Sequence, residues 1–425
     1  MIEYLAAALA VTVLPAAANP APMSTSPEQV VAATISLVEK NYVVAATRPA
    51  IVAALRKGLA SGHYAKLAPP ELAARISADM DAVAHDKHLG LSYQPDMAAQ
   101  LRPEGEGDEV DNSPFFRAFA RRLNHGIREM RVLDGNIRLV SYDGFAWTGA
   151  ESAAAIDHAM AFLRAGDAAI IDLRANGGGS PEAVRRLTSY FVKPGTPLVT
   201  FHLRNDPPTT SAAEAVPGGP LTVPTLVLTS ARSASAAEEF ASHARRLGFA
   251  TLVGETTAGA AYRNDTYPVA GGFVLSVSTG YPDLPGGGNW EGKGVTPAIP
   301  IAANLALDRA IAAASTTLAA KAEGRQKTEY QWAAALHAAR AAPVIPRRPL
   351  DAYAGRYGER TVRVEGGKLV YQRDGGVLTP LVAIGPDLFA IEADPRSRVR
   401  FAGTSGVTGF TIERADGSTS VVPRS

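Results

Sequence analysis

The chain has 425 residues, 46% hydrophobic and 20% charged, enough for two or three domains with buried cores. Its 42 Lys and Arg balance 41 Asp and Glu for a net charge of +1, which argues against nucleic acid, an anionic membrane or an acidic polymer as partner. There is no cysteine, so a thiol nucleophile, thiolate metal sites and a disulfide framework are excluded.

Residues 1–22 hold an apolar run from Leu5 to Leu14 and then Ala16-Ala17-Ala18. This is the pattern of a secretory signal peptide, although Glu3 stands in a region that usually carries Lys or Arg. A buried terminal helix is the other reading of the same run. Export would make the protein periplasmic or secreted. No other segment reaches the ~18 apolar residues of a membrane span.

Residues 26–96 read as an N-terminal helical domain. Ser26-Pro27-Glu28 is a helix start, with Pro at the first helical position. Val31, Ile35, Val38 and Tyr42 follow helical spacing, as do Ile51, Leu55 and Leu59, and then Leu72, Ile76, Met80 and Val83. "HLGLSY" reads as a short strand. Residues 97–128 are polar and irregular, and "RPEGEGDEVDN" predicts an exposed loop.

An α/β domain is expected over 112–320. "RVLDGNIRLVSY" predicts two strands joined at Asp134-Gly135, and residues 151–164 a helix. "AAIIDL", "RANGGG" and "SPEAVRRLTSYF" read as strand, loop and helix, with Ser180 as N-cap. "TLVLT", "SARSAS" and "AAEEFASHARRL" repeat that order, and "ATLVGE" is a further strand. Such alternation implies parallel crossovers with both sheet faces covered, and ligands of such sheets bind beyond the strands' carboxyl ends. The glycine loop and the serine loop both fall at that edge. After Asn304 a helical stretch is expected to about Arg340, with 321–349 as a helical linker ending in "PVIPRRPL". Residues 350–425 read as a small all-β domain.

Ser235 carries the functional question. Ser235-Ala-Ala-Glu238 fits the capping box S-x-x-E, in which serine and glutamate satisfy free N–H groups. The same place suits a nucleophile, because helix N-terminal N–H groups and the helix dipole stabilise an anion there. "NGGGS", 176–180, offers more backbone donors at this edge, though a sharp strand-to-helix turn would need the same glycines. No phosphate-loop pattern follows either strand. Of eight histidines, His85 and His88 sit at a helix-to-strand junction. There is no H-x-x-x-H or H-E-x-x-H pair, so no metal site is expected. No cofactor is expected either.

"AAIIDLRANGGGSPEAVRRLTSYF", "VLTSARSASAAEEFASHARRLGFATLVGETTAGAA" and "NWEGKGVTPAIPI" resemble the tail-specific (C-terminal processing) serine protease family. The resemblance is to the branch with tricorn protease and the modules of interphotoreceptor retinoid-binding protein, and covers roughly residues 27–320. It implies a crotonase/ClpP-like α/β core of strand-strand-helix units, flanked here by the helical and all-β domains. It implies Ser235 as nucleophile, His88 as base and Glu291 as the acid that orients the base. The oxyanion hole would come from the N–H of Ala236 and that of Gly178 or Gly179. The substrate implied is a peptide or unfolded protein. The serine–lysine dyad of the processing branch is not supported, because Ala260 stands where its lysine would be, and Lys293 is not expected to be the base. Lys87 precedes His88 where tricorn-type sites have serine, which leaves the His88–Glu291 link direct, water-mediated or absent. The alternative is a non-catalytic module binding a retinoid, a fatty acid or another apolar ligand, since fold does not fix function.

Overall fold

The computed structural model describes residues 25–101 and 114–425. The expected signal peptide and the "RPEGEGDEVDN" loop lie outside the described residues.

Three helices come first, α1 (Pro27–Asn41), α2 (Arg48–Ala60) and α3 (Pro69–Ala84). Ser26 and Gln29 cap α1 reciprocally: the Gln29 N–H donates to Ser26 Oγ at 3.4 Å and the Ser26 N–H to Gln29 Oε1 at 2.9 Å. His85 ends α3 at φ +50. A tight turn then leads into β1 (Gly90–Tyr93), followed by the short α4 (Pro95–Ala98). Part of the segment expected to be irregular is helical, as α5 (Pro114–Arg122).

The central sheet collects β2 (Ile127–Leu133), β3 (Ile137–Tyr142), β4 (Ala168–Asp172), β7 (Thr225–Thr229), β8 (Thr251–Gly254) and β11 (Ile299–Pro300), with α6 (Ala150–Arg164), α7 (Pro181–Thr188), α8 (Ala236–Leu247) and α9 (Ala306–Ala319) against it. Its order is β11-β8-β7-β4-β3-β2, parallel except for the edge pair β2–β3. β4 and β7 are buried at every residue, which is why their sequences run apolar instead of alternating. Ile156 and Met160 of α6, Val184 of α7 and Phe240 of α8 cover one face. Ala306, Ala310 and Ile311 of α9 cover the other.

A second sheet escaped the sequence reading. It joins β1 to β5 (Pro197–Leu203), β6 (Thr209–Ala212), β9 (Arg263–Val269) and the long β10 (Phe273–Asp283). β10 pairs with β9 on one side and with β1 and then β5 on the other, all antiparallel. Helices α1–α3 pack on it through a core that includes Val38, Leu55, Ile76, Leu275 and Val277. The sequence-distant β1 is thereby fixed to the α/β domain, with Gly90 opposite Ser276.

The helical stretch after Asn304 is broken at 320–323, which yields α9 and α10 (Gly324–Ala341) as an antiparallel pair. Beyond it, β12 (Gly355–Tyr357), β13 (Arg360–Glu365), β14 (Lys368–Arg373), β15 (Thr379–Gly385), β16 (Leu388–Ile391), β17 (Asp394–Ala402), β18 (Gly409–Arg414) and β19 (Thr419–Pro423) form an antiparallel meander in sequence order. The Ser425 N–H donates to the Arg356 carbonyl at 2.9 Å and draws the last residue back to β12. The interior of this near-barrel is filled by Tyr353, Tyr357, Phe389, Phe401 and Phe410. Among the described residues no helix is long and apolar enough to cross a membrane.

His337 of α10 lies between two carboxylates, with Nδ1 2.6 Å from Asp308 and Nε2 3.5 Å from Asp134. Burial disfavours its charge, but the two aspartates outweigh burial and its pKa is raised. A raised pKa stabilises the fold fully below the unfolded value of about 6.5, and the gain is lost as pH rises through the folded value. The difference in melting temperature between the wild type and His337→Gln should therefore be larger at about pH 6 than at about pH 9. A constant difference would show that the ion pairs contribute nothing.

Candidate active site

The serine loop between β7 and α8 is held from below by its own hydroxyls. Ser230 Oγ donates to the Arg174 carbonyl and Ser233 Oγ to the Leu173 carbonyl, both at 2.7 Å. The Ala234 N–H donates to the Asn176 carbonyl at 3.1 Å. Two of the three serines thus staple this loop to the glycine loop, a role that sequence reading did not assign.

Ser235 has φ +52 and ψ −120, a conformation that costs a non-glycine residue roughly 1–3 kcal/mol. The expected capping box forms only in half. Glu238 Oε2 accepts from the Ser235 N–H at 3.0 Å. The Glu238 N–H, however, goes to the Ser235 carbonyl at 2.8 Å, and the serine hydroxyl caps nothing. The helix needs its carboxylate partner, while Ser235 Oγ stays unused at the mouth of α8.

Against it lies the glycine loop. A Cβ at Gly178, where φ is +115, would come 2.7 Å from Ser235 Cβ and 3.2 Å from its Oγ. A Cβ at Gly179, φ +137, would sit 2.3 Å from the Phe145 carbonyl oxygen. Only glycine allows this approach. Asn176, fully buried, sets the loop: its Nδ2 donates to the Tyr142 carbonyl at 2.7 Å and its Oδ1 accepts from the Gly178 N–H at 2.8 Å. The Gly178 N–H is therefore already engaged. Among the described residues, the N–H groups of Gly179 and Ala236 have no acceptor.

Glu238 is buried and gathers four donors. Besides the Ser235 N–H they are Thr257 Oγ1 at 2.5 Å, the Gly259 N–H at 2.6 Å and the Ala260 N–H at 2.8 Å. Burial still raises its pKa against these bonds. Residues 257–262 form a strap across the site, and its next two amides turn to Glu291, whose Oε2 accepts from Ala261 at 2.6 Å and Tyr262 at 3.3 Å. Burial raises the Glu291 pKa too, and the charges of Asp86 and Glu238 add to it.

His88 reaches this neighbourhood through the turn before β1. Lys87 Nζ donates to the Ala258 carbonyl, and the Ala258 N–H donates to the Ser233 carbonyl at 2.9 Å. The chain of contacts links residues 87, 258 and 233. Lys87 therefore reaches toward the strap and makes no bond to Glu291. Ser276 Oγ donates to the His88 carbonyl at 2.6 Å. Burial lowers the His88 pKa, and the charge of Asp86 partly opposes this. An imidazole so placed is neutral near pH 7 and able to accept a proton. Among the described residues His88 has no hydrogen bond to Ser235 or to Glu291, and its Nδ1 is buried without a partner. Asp86, which sequence reading passed over, is the carboxylate whose charge acts most on this ring.

Other histidines are engaged inside the fold. His243 faces Glu239 within α8 at 3.4 Å, and His125 Nδ1 lies 2.8 Å from Ser152 Oγ. Among the described residues no group of three His, Asp or Glu converges as a metal would require.

Comparison with known proteins gives two family matches. Residues 135–301 match peptidase family S41, and residues 12–117 match the N-terminal domain of peptidase S41 in eukaryotic IRBP. Similar solved structures include a lipoprotein from Streptococcus agalactiae, at 18% identity and a TM-score of 0.48 over 70% of this chain and 99% of that one. The photosystem II D1 C-terminal processing protease matches at 14% identity and a TM-score of 0.42 over 66% of this chain and 94% of that one. Tricorn protease matches at 13% identity and a TM-score of 0.44 over 66% of this chain and 35% of that one. The two family matches together take in both the helical region that carries His88 and the sheet that carries Ser235, and the chain belongs to peptidase family S41.

Proposed function

We propose that the protein is a serine peptidase that hydrolyses peptide bonds through an acyl-enzyme on Ser235. The observation that carries this reading is the elbow itself: a strained serine at a helix N-terminus, its hydroxyl unbonded, with glycine backbone packed against it. Ser235 Oγ attacks the peptide carbonyl carbon while His88 takes its proton. The oxyanion that forms is met by the N–H groups of Ala236 and Gly179, and Gly178 supplies the room. The C–N bond then breaks, and the protonated His88 gives its proton to the leaving amine. Water, deprotonated by His88, releases the acyl group. Glu291 is the acid assigned to orient the imidazole and offset its transient charge. Its Oε2 is held by two amides, which leaves Oε1 to act toward the ring.

One interior void bears on the alternative of an apolar-ligand module. The apolar void between α6 and the central sheet, lined by Ile127, Met160 and Leu187 among others, holds about 10 Å³. A water-sized space of this kind does not take a retinoid or fatty acid, whose pockets run to about 300 Å³ or more.

A fluorophosphonate probe and an assay on an unfolded protein test the reading. The wild type should label and cleave. Ser235→Ala should lose labelling, and its turnover should fall by on the order of 10³-fold or more. A wild type that neither labels nor cleaves would sink the peptidase reading, and equal labelling of the variant would sink the choice of nucleophile.

Gly178→Ala tests the packing. The added methyl meets Ser235 at a backbone angle that L-residues avoid, so labelling should slow by about 10²-fold while circular dichroism stays that of a folded protein. Labelling at the wild-type rate would show that the glycine loop does not shape the site.

A further inference from the structure

We propose that Asp86 is a positioning residue for His88: within the same turn, its carboxylate faces the imidazole and receives it when it takes up a proton. This rests on the reading of His88 as the base.

Three observations converge. Asp86 is 2% exposed, a rare place for a carboxylate without a specific task. Its Oδ1 accepts from the His88 N–H at 2.9 Å, an Asx-type bond that fixes the acid relative to the histidine backbone. Its Oδ2 is buried without a hydrogen-bond partner, and so is Nδ1 of His88. Buried polar atoms are nearly always paired. Here an orphaned acceptor and an orphaned ring nitrogen belong to residues two apart in one turn.

The turn leaves the ring as the movable part. The His88 backbone is pinned by Asp86 at its N–H and by Ser276 at its carbonyl. Leu89 closes the turn with a bond from its N–H to the Asp86 carbonyl at 3.2 Å. When Nε2 takes the Ser235 proton, both ring nitrogens become donors. Rotation of the side chain can then bring Nδ1–H to Oδ2, a charge-assisted bond absent from the resting state. Such a bond favours the charged imidazole selectively, which is what the transition state requires.

Other groups face this ring or Asp86 from the surrounding elements. Glu291 and Tyr262 lie on the strap side, Tyr42 at the end of α1 and Lys87 next in sequence. Burial raises the Tyr42 phenol most, and Asp86 adds to this through its charge and as a nearby acceptor for the phenol. Burial, then the charges of Glu291 and Asp86, raise that of Tyr262. Both hydroxyls stay neutral and able to donate. Lys87 is drawn off to the Ala258 carbonyl. Glu291 is tied to two backbone amides through Oε2, while Asp86 Oδ2, with the Tyr42 phenol nearby, accepts no hydrogen bond in the resting state.

Asp86→Asn tests this, because asparagine keeps an acceptor for the His88 N–H and removes the charge. The first reading is the His88 ring pKa by NMR in a Ser235→Ala background, which needs no turnover. Asp86→Asn should lower it by about one unit. With Ser235 present, the acid limb of kcat/KM should move to lower pH by the same amount, and kcat should fall about 10- to 100-fold with KM unchanged. Should the variant fold poorly, the Asp86 carboxyl carbon signal in the Ser235→Ala protein should move as His88 titrates. A His88 pKa unchanged by Asp86→Asn, or an Asp86 signal indifferent to His88, overturns the proposal. A wild type that shows the coupling but does not label with fluorophosphonate would instead overturn the peptidase reading alone.

Discussion

The site hangs on one buried carboxylate. Glu238 sits in the first turn of α8, where the helix dipole favours its charge, but it is fully buried. Moving a carboxylate out of water costs several kcal/mol unless its lone pairs are used. Here they are, by a hydroxyl and three backbone amides. The donors come from two places: the Ser235 elbow and the strap over 257–260. Glu238 therefore fixes the Ser235 backbone and the strap with the same two oxygens. The strap continues to Ala261 and Tyr262, which Glu291 holds, and then enters β9. β9 pairs with β10, and β10 pairs with the strand that follows His88. The proposed nucleophile, acid and base are thus registered to one another through a carboxylate, a strap and a sheet.

That arrangement brings negative charge close to a buried imidazole. Asp86 and Glu238 both lie within electrostatic reach of Glu291, since they raise its pKa. In the resting state His88 is kept neutral by burial. Once the ring is charged, the Asp86 carboxylate beside it becomes a favourable partner in a medium of low effective dielectric. A base that is neutral at rest and stabilised when protonated is what acyl transfer asks of a histidine. Lys87 fits the same logic. Its ammonium is drawn to the Ala258 carbonyl, so it braces the strap without placing a positive charge against the ring.

Local signals made part of this visible in the sequence. The fully buried β4 and β7, the caps at Ser26 and Ser180, and the glycine and serine loops at one sheet edge all follow from residues close in the chain. The second sheet did not, although "FVLSVSTG" alternates as a strand should and Gly271-Gly272 marks a hairpin turn. What no local pattern states is that β10 takes β1 as a partner from far along the chain, with Tyr93 opposite Phe273. Hence the neighbourhood of Ser235 and His88 rested on family resemblance alone. Asn176 and Asp86 were missed for another reason. Each looks like an ordinary loop Asx residue, and only burial separates a turn-former from a residue whose second polar atom faces the site. Ser235 was the opposite case: S-x-x-E signalled a cap, and the cap is real, but the glutamate supplies it.

The C-terminal near-barrel is connected to the floor of the site by a chain of packed elements. Its interior is closed by aromatic rings, so the barrel is not a ligand chamber. It is joined to α10 by the ion pair of Arg340 with Glu392 and by Arg398 stacked over Trp332 at 4.4 Å. α10 packs on α9, and α9 covers the face of the central sheet opposite α6–α8. One more contact completes the path: Arg174, at the root of the glycine loop, donates to the Ala303 carbonyl at 2.6 Å, just before α9. The same Arg174 is bound by Asp172 at the end of β4, and its carbonyl holds Ser230. Direct contacts thus run from the barrel through α10 and α9 to the root of the glycine loop, and at the barrel end they rest on a close-packed core with no free volume to absorb displacement.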